Sequence, residues 1–238
     1  MKRYLIVIVV LFAVCGLVPP AASQNSVKFL RDDFNDMHNW KEMHFKKIKN
    51  HTKYDIENEN GNSYLRAESH ASASGIVLNK EFNVFEYPKV RWRWKISNVF
   101  NKGNAREKSG DDYPLRVYII FKYDPSTAPF GKKMRYGIVK QFYGEYPPDS
   151  TLNYIWANRQ HTDSIITNRY SAEAKMVILQ EDGANAGKWI EQEVNIVDDY
   201  HKAFLEDPPL TASIAIMSDS DNTGESAVAY LDYIEIFR

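Results

Sequence analysis

Two short stretches combine residue types that could do chemistry. Asp219-Ser220-Asp221-Asn222-Thr223-Gly224 sets two carboxylates and a carboxamide within four residues and closes on glycine. Calcium takes six to eight oxygen ligands, and glycine permits the tight turn that such a loop needs. Asp219 and Asp221 are therefore candidate calcium ligands, and Asn222 is a candidate contact to a polar ligand. A twelve-residue calcium loop between helices ends on glutamate, whereas the twelfth position here is Tyr230. The alternative is a hairpin of Asx-turn type with solvated acids.

The second stretch is Gly110-Asp111-Asp112-Tyr113-Pro114-Leu115-Arg116. Its acids fall where a loop becomes a strand, a usual place for functional groups on a β scaffold. Successive strand residues face opposite ways, so Asp111 and Asp112 reach one site only if that stretch is still loop. Arg116 can pair with a carboxylate of this segment or with an acidic group on a ligand. Glycosidases hold two carboxyl groups roughly 5–9 Å apart. Asp111 or Asp112 paired with Asp219 or Asp221 is thus the hydrolase expectation, and Arg116 with a tyrosine base is the lyase one.

Aromatic pairs give a third candidate. Tyr154 and Trp156 share one strand face, as do Trp92 and Trp94. Such a pair makes a stacking platform for a sugar ring if exposed, and core between two sheets if not. Val90 and Ile96 are apolar on the face of Trp92 and Trp94, which favours core there. Polar Asn153, Asn158 and Arg159 leave Tyr154 and Trp156 as candidate ligand contacts. Arg91, Arg93 and Lys95 form a basic stripe on the opposite face of the Trp92 strand. It reads as a solvated outer face, with an anionic polysaccharide as the alternative partner. The six histidines make no HxH or HExxH pattern, and no GxSxG, P-loop or GxGxxG is present.

The chain that must position these groups begins with an export pattern. Lys2 and Arg3 precede an apolar run over residues 5–18, and Pro19, Pro20 and Ala21-Ala22-Ser23 follow. That is the three-part layout of a cleavable signal peptide over residues 1–23. The run is shorter than the roughly 20 residues of a membrane span. Val14 stands where a lipobox needs a small residue, which speaks against lipidation of Cys15. Cleavage leaves one expected domain, residues 24–238, in the periplasm or outside the cell. Cys15 is the single cysteine of the 238 residues, so the mature chain has no disulfide or thiolate chemistry. Removing Lys2 and Arg3 takes the formal net charge from −1 to −3. With no long basic run, nucleic acid is not an expected partner, and no membrane is expected after cleavage.

Turn signals recur every 8–14 residues, the spacing of an all-β, two-sheet antiparallel sandwich of jelly-roll type. Asn60-Gly61 reads as a hairpin turn. Period-two alternation predicts strands over residues 90–96, 115–123, 152–157, 174–179, 189–196, 212–217 and 227–237. A single short helix is predicted over 198–205, capped by Asp198. The first strand, over 29–34, is expected to pair with the last, closing an edge.

Several segments carry a family resemblance. They are Ala71-Ser72-Ala73-Ser74-Gly75, Trp92-Arg93-Trp94-Lys95, residues 110–118, Tyr154-Ile155-Trp156-Ala157, Asp198-Asp199-Tyr200 and residues 217–224. Together they resemble a family of uncharacterised secreted bacterial proteins, a domain of unknown function, over about 155 residues. The resemblance implies export and one domain, and it implies no activity. Asp33-Phe34, Trp40 and the closing Tyr230-Leu231-Asp232-Tyr233-Ile234 also look like the ends of carbohydrate-binding jelly rolls. The leading reading is a non-catalytic carbohydrate- or glycan-binding domain. A polysaccharide hydrolase or lyase is the alternative. A cell-envelope structural or interaction protein, which would expose a broad apolar patch, is the third.

Overall fold

The computed structural model of the chain describes residues 26–143 and 146–238. The expected signal segment, residues 1–23, lies outside the described residues. The strands in chain order are β1 (Lys28–Asp32), β2 (Trp40–Met43), β3 (Lys53–Glu59), β4 (Asn62–His70), β5 (Ala73–Leu78), β6 (Phe82–Asn83) and β7 (Lys89–Ile96). They continue with β8 (Tyr113–Phe121), β9 (Ser150–Ala157), β10 (Ile165–Thr167), β11 (Ala174–Glu181), β12 (Ile190–Asn195), β13 (Thr211–Asp219) and β14 (Ser226–Phe237). Helix α1 is Phe130–Tyr143 and helix α2 is Ile196–Phe204. Neither is long and apolar enough to cross a membrane.

The strands make two sheets. One runs β12-β7-β14-β4-β3, with β1 also on β14. The other runs β10-β11-β9-β8-β13-β5-β2, with β6 also on β13. The jelly-roll-like sandwich expected from the sequence is therefore the fold, and its first and last strands do pair, antiparallel. The Asn60-Gly61 hairpin joins β3 to β4, with φ of 53° and 83°. A two-residue type I′ turn needs both angles positive. One pair departs from the antiparallel expectation, since β9 and β11 run parallel. Residues 158–173, which include β10, supply the long crossover that parallel neighbours require.

Alternation explains the core. In β7, Val90, Trp92, Trp94 and Ile96 are fully buried while Arg91, Arg93 and Lys95 face outward. In β8, Leu115, Val117, Ile119 and Phe121 enter the core, which turns Arg116 and Tyr118 to the outer face of their sheet. The centre between the sheets is aromatic. Trp92 meets Tyr154 at 5.5 Å and Trp94 meets Trp156 at 5.6 Å between ring centroids. Outside, the basic stripe is mostly neutralised: Arg91 donates to Glu193 at 2.9 Å and Arg93 to Asp232 at 3.1 Å. Lys95 lies over the rings of Trp189 and Tyr230.

The helices differ in part from expectation. The predicted short helix is α2, but its N-cap is Asn195, whose side chain accepts from Val197 and Asp198 N–H. Asp198 sits in the first turn instead, where a negative charge suits the helix dipole. Helix α1 is a second helix, unpredicted because Gly131 and Gly137 weaken its intrinsic propensity. Tertiary contacts hold it. Tyr136 packs on Tyr123 at 4.5 Å, and ion pairs join Lys132 to Asp149 and Arg135 to Glu173.

Truncating the aromatic centre tests this packing. Trp156→Ala removes a fully buried ring and is expected to cost about 3–5 kcal/mol. Urea unfolding of the two proteins measures it, and a loss under about 1 kcal/mol would mean the ring is not in the core.

Candidate functional site

Antiparallel pairing of β8 with β13 sets Tyr113 opposite Asp219. The start of one strand thus lies beside the end of the other, and the two acidic stretches form one site. Asp111 and Asp112 are still loop, the condition under which both can serve it.

Arg116 anchors the site. Its guanidinium is 4% exposed and is bound by the Asp219 carboxylate. Nη1 also donates to Asp111 Oδ1 at 3.5 Å. The same guanidinium lies over the rings of Tyr113 and Tyr118, at 4.8 and 5.5 Å from their centroids. Its Nε is buried with no partner among the described residues. Asp219 Oδ1 accepts the Tyr113 N–H at 3.3 Å, and Asp111 Oδ2 accepts from Asn168 Nδ2 at 2.9 Å.

Asp112 latches the loop that follows β13. Its Oδ2 accepts the Thr223 N–H at 2.6 Å, and its Oδ1 accepts from Asn222 Nδ2 at 2.9 Å. Gly224 then turns the chain into β14 with φ of 71°, a conformation that suits glycine. Asn158 holds Asp112 from behind, donating to its carbonyl at 2.6 Å.

The electrostatics are one-sided. Four carboxylates face a single buried guanidinium. Burial pushes the Asp219 carboxyl well above the carboxylate range; Arg116 opposes this and Asp112 adds to it. Burial and then Asp112 also raise Asp221. One oxygen from each of Asp112, Asp219 and Asp221 lies within 4.8 Å of the others. That span fits one cation with oxygens at 2.3–2.6 Å. Asp112 and Asp219 form a closed floor, while half-buried Asp221 and exposed Asn222 form an open rim. Tyr170 stands on that rim, 58% exposed, its single hydroxyl hydrogen within donating reach of either Lys108 O at 3.0 Å or Asn222 Oδ1 at 3.1 Å.

Five expected site residues converge with Asn222: Asp111, Asp112, Arg116, Asp219 and Asp221. Tyr154 and Trp156 do not. Both are fully buried between the sheets, so neither offers a plane to a sugar. Tyr154 pairs in register with core residue Val117, whereas Arg116 pairs with Ile155. Tyr154 and Arg116 therefore lie on opposite faces. The Tyr154 hydroxyl donates to Asp199 of α2 and the Trp156 Nε1 to the Asp182 carbonyl. Sequence reasoning missed Asn168 and Tyr170. They lie more than fifty residues from Asp111 and from Asn222, and no local pattern marks them.

No curated protein matches the chain in sequence. Among solved structures, a family 12 xyloglucanase from Bacillus licheniformis is similar over 90% of this chain and 99% of its own, with TM-score 0.44 and 8% identity. The carbohydrate-binding module CBM27-1 of Caldicellulosiruptor saccharolyticus, solved with mannohexaose, covers 90% and 97%, with TM-score 0.38 and 10% identity. Tailspike protein 4 of bacteriophage CBA120 gives TM-score 0.40 and 7% identity, and this chain spans only 20% of that chain. At these values the likeness says nothing of what this chain binds. Residues 38–235 match the model of a protein family of unknown function, DUF3047, and the chain belongs to that family.

Proposed function

We propose that the chain is an exported glycan-binding domain whose site is the loop end around Asp221, Asn222 and Tyr170, with calcium held by Asp112, Asp219 and Asp221. The observation that carries this reading is the cluster of three carboxylates within 4.8 Å, closed below and open at one rim. A hard cation there would offset carboxylates that Arg116 alone cannot balance. Calcium seeks more oxygens than three side chains give. Adjacent sugar hydroxyls could supply the rest on the Asp221 side, beside the Asn222 carboxamide. The exposed Tyr170 ring offers an apolar face of the kind on which sugar rings stack.

Occupancy of the acids supports binding over hydrolysis. The carboxylates are near enough for a two-carboxylate mechanism. Asp112 and Asp219, however, are buried and already engaged by loop N–H groups and by Arg116. Neither reaches a glycosidic bond without breaking the loop, so Asp221 is left without a second exposed acid of its cluster. Export rests on the pattern of residues 1–23.

Calcium is expected to raise the melting temperature. At a concentration a hundredfold above Kd the gain is about 2.7 kcal/mol, or roughly 5–10 °C for a domain of this size. Asp221→Asn is expected to abolish the shift and leave the fold intact. Identical melting curves with calcium and with chelator would remove the ion from this reading. Binding is checked by affinity electrophoresis and a glycan array. The expected outcome is retention by at least one polysaccharide in calcium, lost in chelator and in Asp221→Asn. Failure of every glycan to retain the protein in calcium would overturn the function.

A further inference from the structure

Seven large apolar side chains are exposed among the described residues, and six of them share the end of the sandwich away from the acid cluster. Strand direction places them. β8 runs from the acid cluster to the far end, where Tyr136 on Tyr123 holds α1 with its exposed Phe130 and Met134. β13 is antiparallel to β8 and starts at that end, just after Leu210. β14 leaves the acid end and finishes at the far one, where β1 pairs with it in reverse just after Val27. β7, antiparallel to β14, begins there after the turn that carries Phe85. β12, antiparallel to β7, ends there and runs into α2, whose C-cap is Leu205. Phe85 and Leu210 line one cavity with Pro129 and Glu206, the neighbours of Phe130 and Leu205. The seventh side chain, Tyr170, is at the acid end. Exposed apolar residues scattered singly need no explanation, whereas a concentration at one end marks an interaction surface.

The chain itself brings a lipid surface to this end. Residues 5–18 are the apolar run of the export pattern, and Ser26, next to Val27, follows Val18 by eight residues. Eight residues reach at most about 28 Å. Until the signal segment is cut, the domain is thus moored to the membrane by the end that carries the six side chains. Their arrangement also suits lipid. They come from five separate segments and rise singly, Phe130 78% and Leu205 89% exposed. A solid partner must match the height of each one, and a fluid headgroup layer need not. Charge does not decide the attachment, because Asp124, Glu206 and Asp207 share this end with Lys133 and Lys140. Apolar insertion is what remains, and its strength scales with the apolar area buried.

We infer that this end docks on a lipid bilayer, seating Phe130, Met134, Leu205 and Leu210 in the interfacial layer, and that it stays docked after the signal segment is cut. This reverses the expectation of no membrane after cleavage. The acid cluster then faces away from the bilayer, about 30 Å further out, the length of the nine-residue β8. The inference rests on the export reading for the presence of the membrane, and the docking itself needs neither calcium nor glycan.

Sedimentation with phosphatidylcholine vesicles tests this on the chain from residue 24 onward, which keeps all fourteen strands. The expected result is binding that persists in about 0.5 M sodium chloride, where ionic attachment is screened. Phe130→Ser combined with Leu205→Asn removes two exposed apolar side chains, and asparagine suits the φ of 61° at position 205. The pair is expected to weaken vesicle binding about tenfold or more with an unchanged melting curve. Cys15 is the single cysteine of the chain, so Met134→Cys and Tyr170→Cys each take one environment-sensitive fluorophore on the cleaved form. Vesicles are expected to blue-shift the label at position 134 and leave the one at position 170 unchanged. Chelator and Asp221→Asn are expected to leave vesicle binding unaltered, which separates this result from the fate of the glycan site. No vesicle binding, release by salt, undiminished binding of the double variant, or an equal shift at both labels would overturn the inference. Self-association lost in the double variant, without vesicle binding, would overturn it too and assign the face to a second copy.

Discussion

The loop end of this sandwich depends on a charge buried where water cannot reach it. Arg116 is the one buried cation among the described residues. A buried guanidinium must be paired, because the cost of desolvating it alone is several kcal/mol. Asp219 on Nη2 and Asp111 on Nη1 provide the pairing. Asp219 lies at the end of β13, so the ion pair fixes that end against the start of β8. With Asp219 fixed, its second oxygen takes the Tyr113 N–H, and Asp112 is brought under the loop it latches. Asp219 and Asp112 are thus placed by successive bonds, each depending on the one before it.

Parity along β8 decides which chemistry is possible there. The strand alternates strictly, with Leu115, Val117, Ile119 and Phe121 on the core side. Arg116 is thereby committed to the outer face, in the layer of Ile155 and Met217, its partners on β9 and β13. Tyr154 and Trp156 are committed to the inner face by the same rule on β9. The large aromatic residues thus supply stability, by burial and by ring contacts between sheets. The aromatic plane at the loop end comes instead from Tyr170, on the loop between β10 and β11.

Much of this architecture is legible in the sequence, and the reasons are local. The run from Val90 to Ile96 alternates without error, and Asn60-Gly61 allows two positive φ angles in succession. Asp198 and Asp199 in its first turn and the prolines at 208 and 209 beyond its end mark a short helix. The acid stretches are also legible one at a time, because carboxylates beside a glycine are unusual in a strand. That they form one site is not, since Arg116 and Asp219 are 103 residues apart and only strand register joins them. Tyr154 misled for the same reason: polar neighbours in sequence say nothing of which face a residue takes. Helix α1 escaped because its stability lies in contacts of Tyr136, Lys132 and Arg135 rather than in its own propensity.

The loop after β13 shows how a rigid scaffold can present a small set of polar groups. Asp219, the last residue of β13, is held by Arg116, and Thr223 in the loop is held through its N–H by Asp112. Ser220 is pinned as well, its N–H donating to the Ser72 carbonyl and its own carbonyl accepting from Gly224. What lies between these anchors is Asp221 and Asn222. Their side chains are the ones of this loop that reach the rim, and their backbone has little freedom to retreat. A ligand meeting them pays little ordering entropy, because folding has already fixed the loop at both ends. The same anchoring keeps the three carboxylates close and buried, and burial first, with Asp112 adding to it, raises the Asp219 and Asp221 carboxyls. Arg116 therefore has two effects: it neutralises Asp219, and by fixing that end of β13 it brings Asp112 and Asp221 close to it.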